Sequence, residues 1–185
     1  MKYFFVILFT LLSTVLSGQD KHSYVHFNKL TEVEGTEYVI AAIENRGKMF
    51  KTNEKYLLFI NTKNGETEQV HFHKESYIQE IKQIKIDSLD INLIIISAKS
   101  IDLNGKSGID WGDPMQIFAL STDGKEKTQL TEDKFFVRTW TVNKETGRIV
   151  ITGHYDTNNN GKYDKNDKNE ILIYDLKTFE LIIKI

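Results

Sequence analysis

The sequence contains no cysteine and only one proline, Pro114. The absence of cysteine excludes a disulfide framework and a lipid-modified N-terminal cysteine. Basic residues are not in excess: the sequence has 24 Lys and Arg and 26 Asp and Glu, and the two charges are mixed along the chain. Without a basic stripe, nucleic acid is not expected as a partner. Beyond residue 18, no apolar run is long enough to cross a bilayer.

The first eighteen residues have the pattern of a secretory signal peptide. Lys2 supplies a positive n-region, residues 4–16 are an apolar h-region, and Ser17 and Gly18 are small residues before the cleavage site. The apolar run of about 14 residues is shorter than a comfortable membrane span. The sequence predicts cleavage near Gly18, which would leave residues 19–185 as one secreted or periplasmic domain. An uncleaved membrane anchor is the alternative.

Short apolar segments recur along the rest of the chain with a period of about 55 residues. They are rich in Ile, Val, Phe and Tyr, lack helical spacing and are bounded by turn signals such as Asn64-Gly65 and Asp123-Gly124. Three repeats are predicted, at about 22–74, 76–132 and 133–185. Each has an alternating strand, a very apolar strand, a polar loop and two further strands. The alternating strands are predicted at 23–30, 77–86 and 135–142, and the very apolar ones at 38–43, 93–101 and 149–155.

Four-strand repeats of this length are typical of propeller blades. The sequence therefore predicts an all-β, β-propeller-like fold of three four-stranded blades, with each second strand buried on both faces. A sandwich or an irregular meander is the alternative. Closed propellers usually have four to eight blades, so three blades leave apolar surface and strand edges uncovered. The chain is expected to be either half of a six-bladed ring, completed as a homodimer, or an open arc. Either arrangement predicts a protein partner or a second copy.

Two stretches combine an apolar strand, a tight turn and a shorter strand: 115-MQIFALSTDGKEKTQLT-131 and 170-EILIYDLKTFE-180. A third, 57-LLFINTKNGE-66, follows the same order less closely. These units resemble the WD40-like (PD40) repeats of TolB-type β-propellers. The resemblance covers the second and third repeats best and implies a scaffold role.

The loop 156-DTNNNGKYDKND-167 has the order of a calcium-binding loop. Counted from Asp156, oxygen-bearing side chains fall at positions 1, 3, 5, 9 and 12, a glycine at position 6, and a backbone carbonyl ligand at position 7. The predicted ligands are Asp156, Asn158, Asn160, Lys162 (through its carbonyl), Asp164 and Asp167. Calcium is bound by six to eight oxygens, and the glycine permits the sharp turn.

This loop resembles dockerin and extracellular EF-hand-like loops, in which the last position is often Asp. The sequence predicts one structural calcium site with a dissociation constant of about 10⁻⁴ to 10⁻³ M. A bare solvated turn is the alternative, because Asp, Asn and Gly are also common turn residues. A partial copy lies 54 residues earlier, with Asp102, Asn104, Asp110 and Asp113 at positions 1, 3, 9 and 12. Lys106 at position 5 opposes cation binding there.

The sequence has no nucleophile elbow, phosphate-cradling glycine loop or zinc-protease helix motif. No catalytic residue and no cofactor other than calcium is therefore predicted. A protein-interaction or scaffold module is the favoured function. A hydrolase or lyase acting on polysaccharide or peptide, with its site in a propeller mouth, is the alternative. Trp111 and Trp140 are interpreted as core or rim aromatics, with a binding surface as the other possibility.

Overall fold

The structure is a computed structural model that describes residues 27, 29–42, 55–73, 75–105, 108–158, 160 and 163–185. The predicted signal peptide over 1–18, the first polar loop over 44–54 and the predicted ligand Lys162 lie outside these residues. Among the described residues, no helix is long and apolar enough to cross a membrane.

The described residues form twelve strands and one short 3-10 turn at Asp87–Leu89. They make three four-stranded antiparallel sheets, each with its strands in chain order, and the sheets do not close into a barrel. The all-β, three-unit prediction is confirmed. The strands are β1 (Lys29–Glu32), β2 (Tyr38–Ala42), β3 (Lys55–Asn61), β4 (Thr67–Phe72), β5 (Tyr77–Ile86), β6 (Ile91–Lys99), β7 (Gln116–Leu120), β8 (Lys127–Gln129), β9 (Phe135–Asn143), β10 (Arg148–Tyr155), β11 (Lys168–Asp175) and β12 (Leu181–Lys184).

Most predicted strands match within two residues, and the hairpin signals are confirmed. Gly65 joins β3 to β4 with φ +77°, Gly124 joins β7 to β8 with φ +79°, and Gly147 joins β9 to β10 with φ +65°. These are left-handed conformations that glycine adopts without a Cβ clash. For the first strand, predicted over 23–30, only Phe27, Lys29 and Leu30 are described, and β1 runs over Lys29–Glu32.

The three sheets stack face to face, with the second sheet (β5–β8) in the middle. One core cluster joins the first sheet to the second, and another joins the second to the third. The strand β6 alternates between them: Leu93 and Ile95 pack toward the third sheet, while Ile94 and Ile96 pack toward the first. The expectation that this strand is buried on both faces is confirmed.

The third sheet (β9–β12) is buried on one face only. In β10, Ile149 and Ile151 are fully buried against the second sheet, whereas Val150 and Thr152 on the opposite face are only half-buried. The prediction that every second strand is buried on both faces is therefore wrong for β10. The physical reason is its position, because no sheet of the described residues packs on the outer face of the third sheet.

Candidate metal centre

The loop 156–167 connects two strands whose ends are already paired. Tyr155, the last residue of β10, lies opposite Lys168, the first residue of β11. The loop therefore leaves and re-enters the sheet at one place, and its twelve residues must fold back on themselves. Such a loop needs internal partners for its backbone N–H groups, which its Asp and Asn side chains supply.

Two predicted ligands converge on a carboxylate oxygen of a third. Asp164 Oδ2 accepts hydrogen bonds from Asn158 Nδ2 at 2.9 Å and from Asn160 Nδ2 at 2.7 Å. The other oxygen, Oδ1, accepts the backbone N–H of Asn166 at 2.7 Å. This N–H, followed by the amide of Asn158, holds the pKa of Asp164 below its usual value. The side chain of position 9 is therefore a carboxylate at neutral pH, with the amides of positions 3 and 5 gathered around it.

The two end aspartates of the loop are buried and accept backbone N–H groups of the loop. Asp156 is 6% exposed, and its Oδ1 accepts the backbone N–H of Asn160 at 3.1 Å. Asp167 is 8% exposed; its Oδ1 accepts the N–H of Thr157 at 3.1 Å, and its Oδ2 accepts the N–H of Asp164 at 2.7 Å. Asp167 thus ties position 2 to position 9 and closes the loop, a role that spacing alone does not reveal.

The structure gathers only part of the predicted ligand set. Within the described part of the chain, no group of three or more Asp, Glu, His or Cys side chains is placed to hold a metal ion. The side chains that meet are therefore one carboxylate and two amides, and the three loop aspartates do not form such a group. A half-turn of an Asn amide exchanges Nδ2 and Oδ1, so Asn158 and Asn160 can present oxygens toward the same point.

The partial copy at Asp102–Asp113 has the same internal hydrogen bonds. Asp113 is 2% exposed and accepts the N–H of Leu103 at 2.9 Å and that of Asp110 at 2.7 Å, as Asp167 does in the later loop. The N–H of Gly112 donates to Asp110 Oδ1 at 2.6 Å, as that of Asn166 does to Asp164. Asn104 Nδ2 also lies 3.3 Å from Asp110 Oδ1. The two loops therefore share one pattern of internal hydrogen bonds.

A lysine side chain of the protein, Lys99, contacts the partial copy. Lys99 Nζ donates to the backbone carbonyls of Asp110 at 3.2 Å, Trp111 at 2.8 Å and Asp113 at 2.7 Å. Burial lowers the pKa of this lysine, while Asp113 and Asp110 act in the opposite direction. The ammonium group therefore lies against positions 9, 10 and 12 of its loop and offsets the negative charge of Asp110 and Asp113.

The corresponding position of the third sheet is His154. Gln116 pairs with Ala98 in the second sheet, and its counterpart Glu170 pairs with Gly153 in the third, so the next residues, Lys99 and His154, correspond. The His154 ring stacks on Phe136, with centroids 4.9 Å apart. Burial lowers its pKa, with Asp167 opposing the shift. The later loop thus has an imidazole where the earlier loop has an ammonium group.

Tyr163, at position 8 of the loop, attaches the loop to the outer face of the third sheet. Its ring meets His154 edge-on at 4.7 Å, and the Arg138 guanidinium lies over it at 5.0 Å. Its hydroxyl accepts a hydrogen bond from Asn169 Nδ2 at 2.8 Å. Folding of the loop is therefore coupled to one end of this sheet face.

A cavity of about 410 Å³ lies on the other side of the loop. Two glutamates line it, and both have partners: Glu170 Oε2 is 2.7 Å from Lys184 Nζ, and Glu132 accepts the Tyr155 hydroxyl. Burial, followed by the charge of Glu132, raises the pKa of Tyr155. The remaining lining residues are Lys134, Asp156, Thr157 and Lys168. The cavity beside the candidate metal loop is therefore lined by polar groups that include the pairs Glu170–Lys184 and Glu132–Tyr155.

The two tryptophans differ in environment. Trp140 is half-buried and packs against the core cluster between the second and third sheets, in line with the core interpretation. Trp111 is 84% exposed in the partial loop, with Tyr77 5.8 Å from its ring. Exposure leaves Trp111 as a surface aromatic and gives it no part in the core.

The buried closing aspartates give a direct prediction. Asp113→Ala leaves the N–H groups of Leu103 and Asp110 without their acceptor, and we expect a loss of about 2–3 kcal/mol in the free energy of unfolding. Urea denaturation measures it. The matched control is Asp87→Ala, whose side chain is 86% exposed and should cost no more than about 0.5 kcal/mol. Equal losses for the two variants would contradict the role of Asp113.

The chain matches no family model, and no curated protein is significantly similar to it. The resemblance to TolB-type repeats and to dockerin-like loops therefore rests on the quoted residues alone.

Proposed function

We propose that this chain is a secreted or periplasmic, calcium-binding, β-propeller-like protein that works as a protein-interaction or scaffold module. The observation that supports calcium most directly is the convergence of Asn158 and Asn160 on Asp164, in a loop that also holds the buried Asp156 and Asp167. Hard oxygen donors of this kind are the ligands calcium takes in proteins.

Comparison of the two loops supports a cation in the later one. In both loops, the last aspartate accepts the backbone N–H groups of positions 2 and 9. In the earlier loop, the ammonium group of Lys99 lies against the carbonyls of Asp110 and Asp113. His154 stands at the corresponding place of the later loop and stacks on Phe136. With no lysine at that position, the carboxylates of the later loop are better placed to gain stability from an external cation. The ion would cross-link positions 1, 3, 5 and 9 and hold the loop folded.

Calcium binding has a direct test. After chelator treatment, we expect 10 mM calcium to stabilise the protein by about 1.4 kcal/mol, the value for a tenfold excess over a dissociation constant of about 10⁻³ M, the weak end of the predicted range. For a chain of this size, this is roughly a 3–6 °C rise in the midpoint of thermal unfolding. Asp156→Ala should abolish the rise.

The matched control for this test is Asp102→Ala, the same change at position 1 of the partial copy. It should keep the calcium-dependent rise, because Lys99 stabilises that loop from within the chain. Magnesium should give a smaller rise, since it requires a tighter octahedral shell. A wild-type midpoint that does not move at 10 mM calcium would remove the site, as would an equal rise in Asp156→Ala.

Protein contact is supported by the apolar surface at the outer sheets. Five side chains with large apolar groups in β1 and near the C-terminus are 40–70% exposed: Leu30, Leu181, Ile182, Ile183 and Ile185. Exposed apolar side chains at both ends of the stack are typical of interaction surfaces. In the cavity beside the loop, by contrast, Glu132 and Glu170 are engaged by Tyr155 and Lys184. The surface therefore supports a binding module more than a hydrolase or lyase.

Export is supported by the N-terminal sequence. Lys2, the apolar residues 4–16 and the small Ser17-Gly18 pair follow the order of a cleaved signal peptide. A calcium site with millimolar affinity would be filled only where calcium is abundant, as it is outside the cytoplasm.

A further inference from the structure

The outer face of the third sheet is an apolar surface with a defined composition. Cross-strand pairing aligns Val150 with Ile173 and Ile183, and Thr152 with Ile171. Ile171 and Ile185 exchange two backbone hydrogen bonds of 2.9 Å, which extends the second row. Because opposite residues of an antiparallel pair point to the same side, these side chains form one face, which we call the tail face.

The tail face corresponds, residue by residue, to a face that is buried elsewhere in the chain. In the second sheet, Ile95 pairs with Ala119 and Ser97 pairs with Ile117, and this face packs on the third sheet. All four residues are at most 3% exposed. Their counterparts in the third sheet are Val150, Ile173, Thr152 and Ile171, which are only half-buried. All three sheets therefore have this packing face, and among the described residues it is covered in the first and second sheets only.

The opposite end of the stack has the complementary face. On the outer side of the first sheet, Val39 pairs with Ile60 and Ala41 with Leu58, and Leu30 lies opposite Ala41. We call this the head face. It corresponds to the side of the second sheet on which the first sheet packs, where Ile94 pairs with Leu120 and Ile96 with Phe118. Val39, Leu58 and Ile60 are half-buried, and Leu30 is 70% exposed.

We propose that the partner of this chain is a second copy of itself, with the tail face of each copy packed on the head face of the other. The contact would continue the packing already present between the first and second sheets and between the second and third. It is heterologous, so it must either close into a ring or extend as a fibre. Two copies give six sheets, within the four to eight of closed propellers, whereas three copies give nine.

The available area is sufficient for a stable dimer. Four strands about 4.8 Å apart, with about five residues each at about 3.3 Å, span a face of roughly 19 by 17 Å. Ring closure buries four such faces, roughly 1,200 Å² of flat area, which reaches the range of about 1,200–2,000 Å² for specific interfaces. A different protein would have to reproduce both a head face and a tail face, which a second copy already has.

This inference rests on the protein-contact part of the proposed function and not on calcium. The experiment is a solution mass measurement by sedimentation equilibrium on the full chain as expressed and purified, with its covalent mass read first by mass spectrometry. We expect twice the covalent mass at micromolar concentration. Ile173→Lys on the tail face and Leu58→Lys on the head face should each raise the dimer dissociation constant at least tenfold.

The variants also decide the geometry. Loss of the dimer in both supports head-to-tail packing, whereas loss in only one indicates a symmetric contact and overturns the proposal. Trp111→Lys, in an exposed loop, should remain a dimer. If Ile173→Lys does not fold, Ile183→Lys, at an edge site that is 40% exposed, takes its place. Asp156→Ala should lose calcium stabilisation yet still dimerise. A wild-type monomer that retains its calcium shift would overturn this inference alone.

Discussion

Replacing Ile95 with alanine is expected to destabilise the fold by about 3–4 kcal/mol. Ile95 lies in the second strand of the middle sheet, is 0% exposed and packs toward the third sheet. Loss of its side chain leaves a cavity between two sheets that are held in place by other contacts, so the space cannot collapse easily. Urea denaturation at one low protein concentration measures the loss, because association would add to the apparent stability.

The matched control is Ile182→Ala in the edge strand β12. Ile182 is 44% exposed, so the same deletion should cost no more than about 0.5 kcal/mol. The slope of unfolding free energy against urea should be unchanged in both variants, because neither alters the area exposed on unfolding. If the two losses were equal, the middle sheet would not be the shared core that joins the first and third sheets.

Most of the fold could be predicted because its signals are local. The alternating and apolar runs set the strands, and Asn64-Gly65 and Asp123-Gly124 set the hairpins, so the four-strand units emerge from neighbouring residues. Which face of a sheet is covered depends on its position in the stack. Val150 and Ile95 are both apolar residues in second strands, yet only Ile95 has a sheet on its side. Sequence periodicity does not distinguish them.

The sequence predicted the spacing of the candidate ligands, but it did not predict most of their hydrogen-bond partners. Spacing placed Asn158, Asn160 and Asp164 in one set, and the structure brings these three together. The backbone N–H partners of Asp167 could not be predicted, because donors of the main chain are the same at every position. The match of Lys99 with His154 was also missed, since the residue types differ and the equivalence appears only through strand pairing.

Substituting Gly153 is expected to show how tightly the third sheet is built beside the candidate site. A Cβ at this position would lie 2.3 Å from the carbonyl oxygen of Phe136 and 2.6 Å from the ring of Phe135. The first of these neighbours is backbone, so relief requires β9 and β10 to separate. We expect Gly153→Ala to cost about 3 kcal/mol, at the upper end of overpacking, measured by urea denaturation.

The control for this change is Gly65→Ala in the hairpin between β3 and β4. Gly65 has φ +77° and no neighbour within 4 Å of a built Cβ, so it carries only the left-handed backbone penalty of about 1 kcal/mol. Similar losses in the two variants would mean that β9 does not crowd this position.

Gly153 lies at an irregularity in the pairing of its strand. The register of β9 against β10 shifts between Thr152 and Gly153, as at a β-bulge. The second sheet has Ala98 at the corresponding place, fully buried, and its register shifts at the same place, since Ala98 pairs with Ile78 and Ser97 with Glu80. The reverse change, Ala98→Gly, should therefore cost much less than Gly153→Ala, because that sheet already accommodates a Cβ and loses only one buried methyl group.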